Sequence, residues 1–190
     1  MLEIEVKYRA GDHAAVEAKL RHNSARLTEE REDADAYFNA PHRDFAQTDE
    51  ALRIRRIGAG NFVTYKGPKT DAQTKTRREI EVALADGSTA AEQFQEILQV
   101  LGFRPVAVVR KRRRIFEMNR DGFTLHVSLD DVTGVGKYAE VEIVAPESDL
   151  EDLRKQPAKF PSARSLPSPV SRTVRKISPR DPAASSPRQR

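Results

Sequence analysis

Leu2-Glu3-Ile4-Glu5-Val6-Lys7-Tyr8-Arg9 alternates apolar and charged residues without a break. Successive side chains of an extended strand point to opposite faces, so Leu2, Ile4, Val6 and Tyr8 share one face and Glu3, Glu5, Lys7 and Arg9 the other. In one strand this pattern commonly means a sheet with one face in water. Here it recurs along the chain. Arg53 and Arg55 flank Ile54, and Lys66 follows Val63 and Tyr65. Lys75, Arg77, Glu79 and Glu81 surround Ile80 and Val82, and Lys111 and Arg113 fall two apart. Asp130 stands in line with His126 and Ser128, and Glu140 and Glu142 separate Ala139, Val141 and Ile143. Strands are predicted over 2–9, 26–39, 51–57, 61–66, 75–84, 106–118, 123–131 and 137–144. Acids gather on the first, fifth, seventh and eighth of them, bases on the third, fourth and sixth. A solvated face would mix signs within each strand. The expected fold is therefore α+β: an eight-stranded antiparallel sheet closed into a β-barrel, or tunnel, with a charged lumen and helices packed on its aliphatic outside.

Asp12 is a fitting N-cap for a helix carrying Ala15, Val16, Ala18 and Leu20, and a second helix follows Ser88 with Ala91, Phe94, Ile97, Leu98 and Leu101 at helical spacing. A short third helix is predicted to start near Pro146 or Glu147 and end before Pro157. Gly58-Ala59-Gly60 and Asp121-Gly122 read as hairpin turns, and Gly67-Pro68-Lys69-Thr70-Asp71 as a longer loop. None of these glycines forms a phosphate-cradling motif.

Charged residues make up 33% of the chain and apolar ones 38%, against roughly 25% charged in an average soluble domain. There is no cysteine, which removes disulfides, thiolate metal sites and thiol nucleophiles from consideration. No run of about 18 apolar residues occurs and the first residues lack the order of a secretory signal, as expected of a cytoplasmic protein without membrane attachment. The net charge of +4 is unevenly spread: residues 154–190 hold ten Lys or Arg and one acid, giving +9 there and −5 over residues 1–153. A Pro-, Ser- and Arg-rich stretch without hydrophobic period cannot offset its ordering entropy. The expected division is a barrel domain over 1–153 and a disordered basic tail over 154–190, the one part suited to nucleic acid.

Charges facing each other in a confined space must neutralise one another or meet bound ions. A triphosphate with a divalent cation supplies both kinds of partner. Arg and Lys match phosphate oxygens, and clustered carboxylates offer hard oxygen ligands to Mg²⁺. His13, His22 and His42 are expected at the surface, and no histidine cluster has zinc spacing. His126 shares a predicted face with Asp130 and is a weaker candidate for the lumen.

These residues resemble the CYTH superfamily of triphosphate tunnel enzymes over about residues 1–145. The hallmark Glu-x-Glu-x-Lys corresponds to Glu3-Ile4-Glu5-Val6-Lys7, the Arg-x-Arg pair to Arg53-Ile54-Arg55 and the single lysine to Lys66. Arg-x-Glu-x-Glu corresponds to Arg77-Arg78-Glu79-Ile80-Glu81, Lys-x-Arg to Lys111-Arg112-Arg113, and the late acids to Asp130 and Glu140-Val141-Glu142. Asp35-Ala36-Tyr37-Phe38-Asn39, Thr64-Tyr65-Lys66-Gly67-Pro68-Lys69 and Leu101-Gly102-Phe103-Arg104-Pro105-Val106 are most similar to the class IV adenylyl cyclase, or CyaB, branch. The resemblance implies two divalent ions, Mg²⁺ or Mn²⁺, and conversion of ATP to 3′,5′-cyclic AMP and pyrophosphate. It implies Glu3, Glu5, Asp130, Glu140 and Glu142 as metal ligands, and Arg53, Arg55, Lys66, Arg77, Lys111 and Arg113 as phosphate holders. Glu5, Lys7, Glu140 and Glu142 are the implied catalytic groups. The chain departs from the branch after about Leu153, where a closing helix gives way to the basic tail.

Two other readings stand beside the cyclase. The same side chains would serve a triphosphatase acting on thiamine triphosphate, inorganic triphosphate or a nucleoside triphosphate. The tail and Arg110-Lys111-Arg112-Arg113-Arg114 would suit a non-catalytic polyphosphate- or RNA-binding module. Sheet edges or an apolar helix face are where a homodimer would pair.

Overall fold

A computed structural model of the chain describes residues 2–69, 77–120, 122–145 and 169–176, with side chains over 5–68, 78–120 and 122–143. Nine strands form one antiparallel sheet in the order β5-β4-β3-β2-β6-β7-β8-β1-β9. They span β1 Leu2–Arg9, β2 Arg26–Asn39, β3 Ala51–Ile57, β4 Gly60–Lys69, β5 Arg77–Leu84, β6 Arg104–Arg120, β7 Phe123–Val132, β8 Gly136–Ala145 and β9 Pro169–Lys176. Three helices, α1 His13–His22, α2 Phe45–Thr48 and α3 Ser88–Val100, complete the described elements. Among the described residues no helix is long and apolar enough to cross a membrane.

The period-two pattern sorts the two faces as expected. On one side of β1, β6, β7 and β8, Val6, Phe116, Leu125, Val127, Val141 and Ile143 are buried together with Leu20 of α1. Ile54 and Phe38 on β3 and β2 pack against Ala91 and Leu98 of α3, with Leu52, Val63 and Phe94 at the margin. α1 and α3 thus each pack on one of the two clusters of the aliphatic face. Asp12 caps α1 by accepting from the Ala15 amide at 3.0 Å. Gly102 ends α3 at φ +87; the Phe103 amide returns to the Leu98 carbonyl at 2.9 Å, which carries Phe103 into the α3 cluster.

Two expectations need correction. The sheet curls until β5 and β9 have Cα atoms within 8 Å of each other, yet no ladder joins these edge strands among the described residues. The eight expected strands are present in one antiparallel sheet with a ninth added at its edge, and among the described residues the ladder does not close into a barrel. In the eight-strand order β1 would have to pair β5 to close the circle. Instead β9 takes the free edge of β1, running antiparallel from Leu2 opposite Lys176 to Tyr8 opposite Pro169. The second correction follows: Pro169–Lys176 is a strand, although it belongs to the stretch expected to be disordered. An edge strand satisfies its backbone by pairing, without the buried apolar area that the tail lacks. The rest of the tail and the helix predicted after Pro146 lie outside the described residues.

Smaller differences have local causes. Gly67-Pro68-Lys69 extends β4 instead of forming a loop, with an irregularity between Lys66 and Lys69 that absorbs the proline. His13, expected at the surface, is buried, its Nε2 3.1 Å from the Tyr138 carbonyl oxygen. The short α2, capped by Asp44 on the Ala46 amide at 3.0 Å, was not predicted because four residues carry no readable period.

Candidate functional site

The other face of the curled sheet encloses a cavity of about 540 Å³. Ten predicted site residues line it: Glu5 and Lys7 of β1, Arg53 and Arg55 of β3, Lys66 of β4, Lys111 and Arg113 of β6, Asp130 of β7, and Glu140 and Glu142 of β8. The side chains of Glu3 and Arg77 lie outside the described residues. His126 is the cross-strand partner of Glu142 but is not part of the lining.

Ion pairs hold the charges in fixed positions. Arg113 presents its fork to Asp130, with Nε to Oδ1 at 2.6 Å and Nη2 to Oδ2 at 2.6 Å, and also pairs with Glu140. Lys7 donates to Glu140 at 2.7 Å and sits 4.9 Å from the centroid of the Tyr138 ring. Lys111 Nζ lies 3.2 Å from Asp130 Oδ2 and 3.7 Å from Asp33 Oδ2. Across the cavity Arg55 grips Asp35 through two bonds of 2.7 and 2.9 Å, and Arg53 reaches the same carboxylate at 3.3 Å. Arg53 Nε is buried without a hydrogen-bond partner, a donor left over for an anion in the cavity.

Asp33, Asp35, Tyr37 and Tyr138 were missed by sequence reasoning. For the aspartates the signal was available: Asp33-Ala34-Asp35-Ala36-Tyr37-Phe38 follows the same period-two rule as the other strands. Asp35 fixes the position of both arginines of β3.

The electrostatics follow from this crowding. Burial by itself would raise the Glu140 carboxyl, but Arg113, then Lys7 and Lys111, outweigh it and hold the group below the usual carboxylate range. Burial would lower the Lys7 ammonium, and the Glu140 charge reverses that to a net rise. For Asp35 the upward push of burial is overcome by Arg55 and Arg53, leaving it lowered. Lys111 differs: burial, reinforced by the Arg113 charge, lowers it from 10.5. A lowered ammonium gives up its proton earlier as pH rises. Affinity for inorganic triphosphate is therefore expected to decline on the alkaline side before pH 10.5, and Lys111→Arg should move that decline upward. Isothermal titration between about pH 7 and pH 10 checks both, because guanidinium keeps its charge throughout.

The partners of the carboxylates separate anchoring groups from potential metal ligands. Among the described residues no three Asp, Glu or His are gathered into a ready cation site. Asp130 is fully buried with both oxygens engaged by Arg113 and Lys111, which suits an anchoring role better than ligation. Glu5 and Glu142 face each other directly across the β1–β8 ladder, both lining the cavity. They are hard oxygen donors of the type Mg²⁺ or Mn²⁺ takes, usually few in number and shared with substrate phosphates. The donor set fits such an ion, with Glu140 two ladder positions further along, opposite Lys7.

The comparisons with known proteins agree with this geometry. The CYTH domain model matches residues 1–166. The chain is 40% identical over 142 residues to "Putative adenylate cyclase MJ0240" of Methanocaldococcus jannaschii, covering 75% of this chain and 77% of that protein. It is 31% identical over 158 residues to adenylate cyclase CyaB of Aeromonas hydrophila, covering 81% and 75%. Among solved structures, the PH1819 protein of Pyrococcus horikoshii superposes with a TM-score of 0.65 at 37% identity, covering 80% of this chain and 86% of that one. The cyclase-like HpAC1 protein of Hippeastrum, at 18% identity and a TM-score of 0.57 over 83% of this chain and 86% of its own, shares the fold. A charged cavity built from period-two strands, a matching domain model over most of the length and relatives above 30% identity agree, and the chain belongs to the CYTH family of enzymes acting on triphosphates.

Proposed function

We propose that the protein is a divalent-metal-dependent adenylyl cyclase converting ATP to 3′,5′-cyclic AMP and pyrophosphate. The observation that carries this reading is the composition of one cavity: six bases and five acids among its sixteen lining residues. Those bases exceed the acids by a single charge, far short of the charge of a triphosphate. The anion must bring cations with it, and Glu5 and Glu142 are carboxylates lining the same cavity, of the kind that ligate such ions. A divalent ion bound there would polarise phosphate oxygens and lower the pKa of a coordinated hydroxyl.

The chain's own groups supply the rest. Arg53 and Arg55, oriented by Asp35, form a forked clamp on one wall, and Lys66 extends it along β4. Lys111 and Arg113 face them from β6. Held between these walls, the triphosphate presents its α-phosphorus to the 3′-hydroxyl of the same ATP molecule, and fixing the nucleotide in that near-attack geometry removes internal rotations that the free molecule would have to freeze on the way to ring closure. The Lys7 ammonium and Arg113 guanidinium meet the charge that develops on the departing pyrophosphate. Glu140, fixed by both, keeps them aimed.

A second reading is a triphosphatase, in which water attacks the terminal phosphorus and the same walls hold the chain of phosphates in another register. A dominant triphosphatase activity is described for the Hippeastrum protein of the same fold. Incubation with ATP and Mg²⁺ or Mn²⁺, followed by separation of products, distinguishes them. Cyclic AMP with pyrophosphate is the expected result; ADP with phosphate would shift the assignment to hydrolysis, and no turnover of ATP, inorganic triphosphate or thiamine triphosphate would end the enzyme reading.

A further inference from the structure

Against the charged majority, one corner of the cavity is apolar. Val109 of β6 and Val132 at the end of β7 line it, joined by Val135 of the turn into β8 and by Tyr138. Val132 is the cross-strand partner of Lys111 on one side and of Gly136 on the other. The turn is pinned by two backbone bonds of 3.0 Å, Thr133 amide to Arg110 carbonyl and Val135 amide to Val132 carbonyl. Its anchor point on β6 is the residue next to Val109. None of the three valines belongs to either core cluster, although Val132 is only 9% exposed and Val135 is 60% exposed. Gly136, the partner of Val132 on β8, has no side chain to cover it.

Valines that line the charged cavity and belong to neither core cluster are suited to covering an apolar part of a ligand. Inorganic triphosphate has no such part. Resting on the triphosphate reading above, we propose that this corner seats the flat heterocyclic ring of the substrate and makes the enzyme selective for a nucleoside triphosphate over an all-phosphate chain. The ring lies on Val132 and Val135, and the Tyr138 ring, whose backbone is tied to His13, walls its side. Lys111, opposite Val132, marks where the ring's surroundings give way to the phosphate path.

The test uses the full chain with Mg²⁺, comparing the α,β-methylene analogue of ATP, whose Pα–C–Pβ link cyclisation cannot break, with inorganic triphosphate by calorimetry. Val135→Ser alters an exposed turn position, and Val132→Thr keeps the shape while adding a hydroxyl. Each should weaken the nucleotide analogue by roughly tenfold, the scale on which a pocket registers such a change, and leave inorganic triphosphate within about twofold. Equal loss for both ligands, or loss for neither, overturns the ring seat while the triphosphate reading stands. A parent protein that binds neither ligand overturns both. An unchanged urea midpoint for Val135→Ser ties any selective loss to the ligand and not to unfolding.

Discussion

Arg113→Ala should lower the unfolding free energy by roughly 3–5 kcal/mol, because it leaves buried carboxylates without their counter-charge. Asp130 is completely buried and takes two of its hydrogen bonds from Arg113, and Glu140 pairs with the same guanidinium. Lys7 and Lys111 remain, but neither has the planar fork. Arg113→Lys keeps the charge and loses the two-point geometry, so it should fall between the parent and the alanine variant. Urea unfolding at neutral pH measures the difference; a loss below about 1 kcal/mol would show that Asp130 and Glu140 do not depend on Arg113. The acid limb gives a second readout. In the parent the Glu140 contribution is complete above about the ordinary value of 4.5 and disappears as pH falls through its lower folded value. Removing Arg113, the leading influence that opposes burial there, shifts this loss to higher pH.

The second large effect is expected at Glu5 and Glu142. Glu5→Gln with Glu142→Gln should cut metal-dependent turnover of ATP by about 10²–10³, as expected where several kcal/mol of charge stabilisation at the transition state are removed. The Mg²⁺ concentration needed for half-maximal rate should rise in each single variant. Both side chains are part-buried and glutamine keeps their volume, so the urea midpoint should move little. Parent-like turnover in the double variant would remove these two carboxylates from the metal assignment.

The charged face was legible because its rule is local. Period two assigns Glu5 and Lys7 to one side of β1 whatever lies next to that strand, and the same holds for Arg53 and Arg55 or Glu140 and Glu142. The pair Asp33 and Asp35 obeys the rule too; it was passed over because β2 reads as a long, mixed-sign stretch with acids at both parities. What cannot be read locally is pairing at a distance. The match of β2 to β6, running from Arg26 opposite Glu117 to Asn39 opposite Arg104, sets which base meets which acid across the cavity. Closure cannot be read locally for the same reason: whether β1 finds β5 or β9 depends on competition between two edges, and among the described residues it pairs with β9. The valine corner escaped notice because Val109, Val132 and Val135 are separated by charged residues and meet only when the β7–β8 turn folds back on β6.

The position of β1 sets when the molecule becomes whole. Its partners are β8 and β9, residues 136–145 and 169–176, so β1 has neither of them to pair with until residues 10–135 have also been made. At translation rates of about 5–20 residues per second that wait is on the order of ten seconds. During it Leu2, Ile4 and Val6 belong to an unpaired edge that can stick to other nascent chains. Premature termination before β8 yields a fragment in which Glu5 never meets Glu142, and such a fragment should be catalytically silent however well its remaining strands fold.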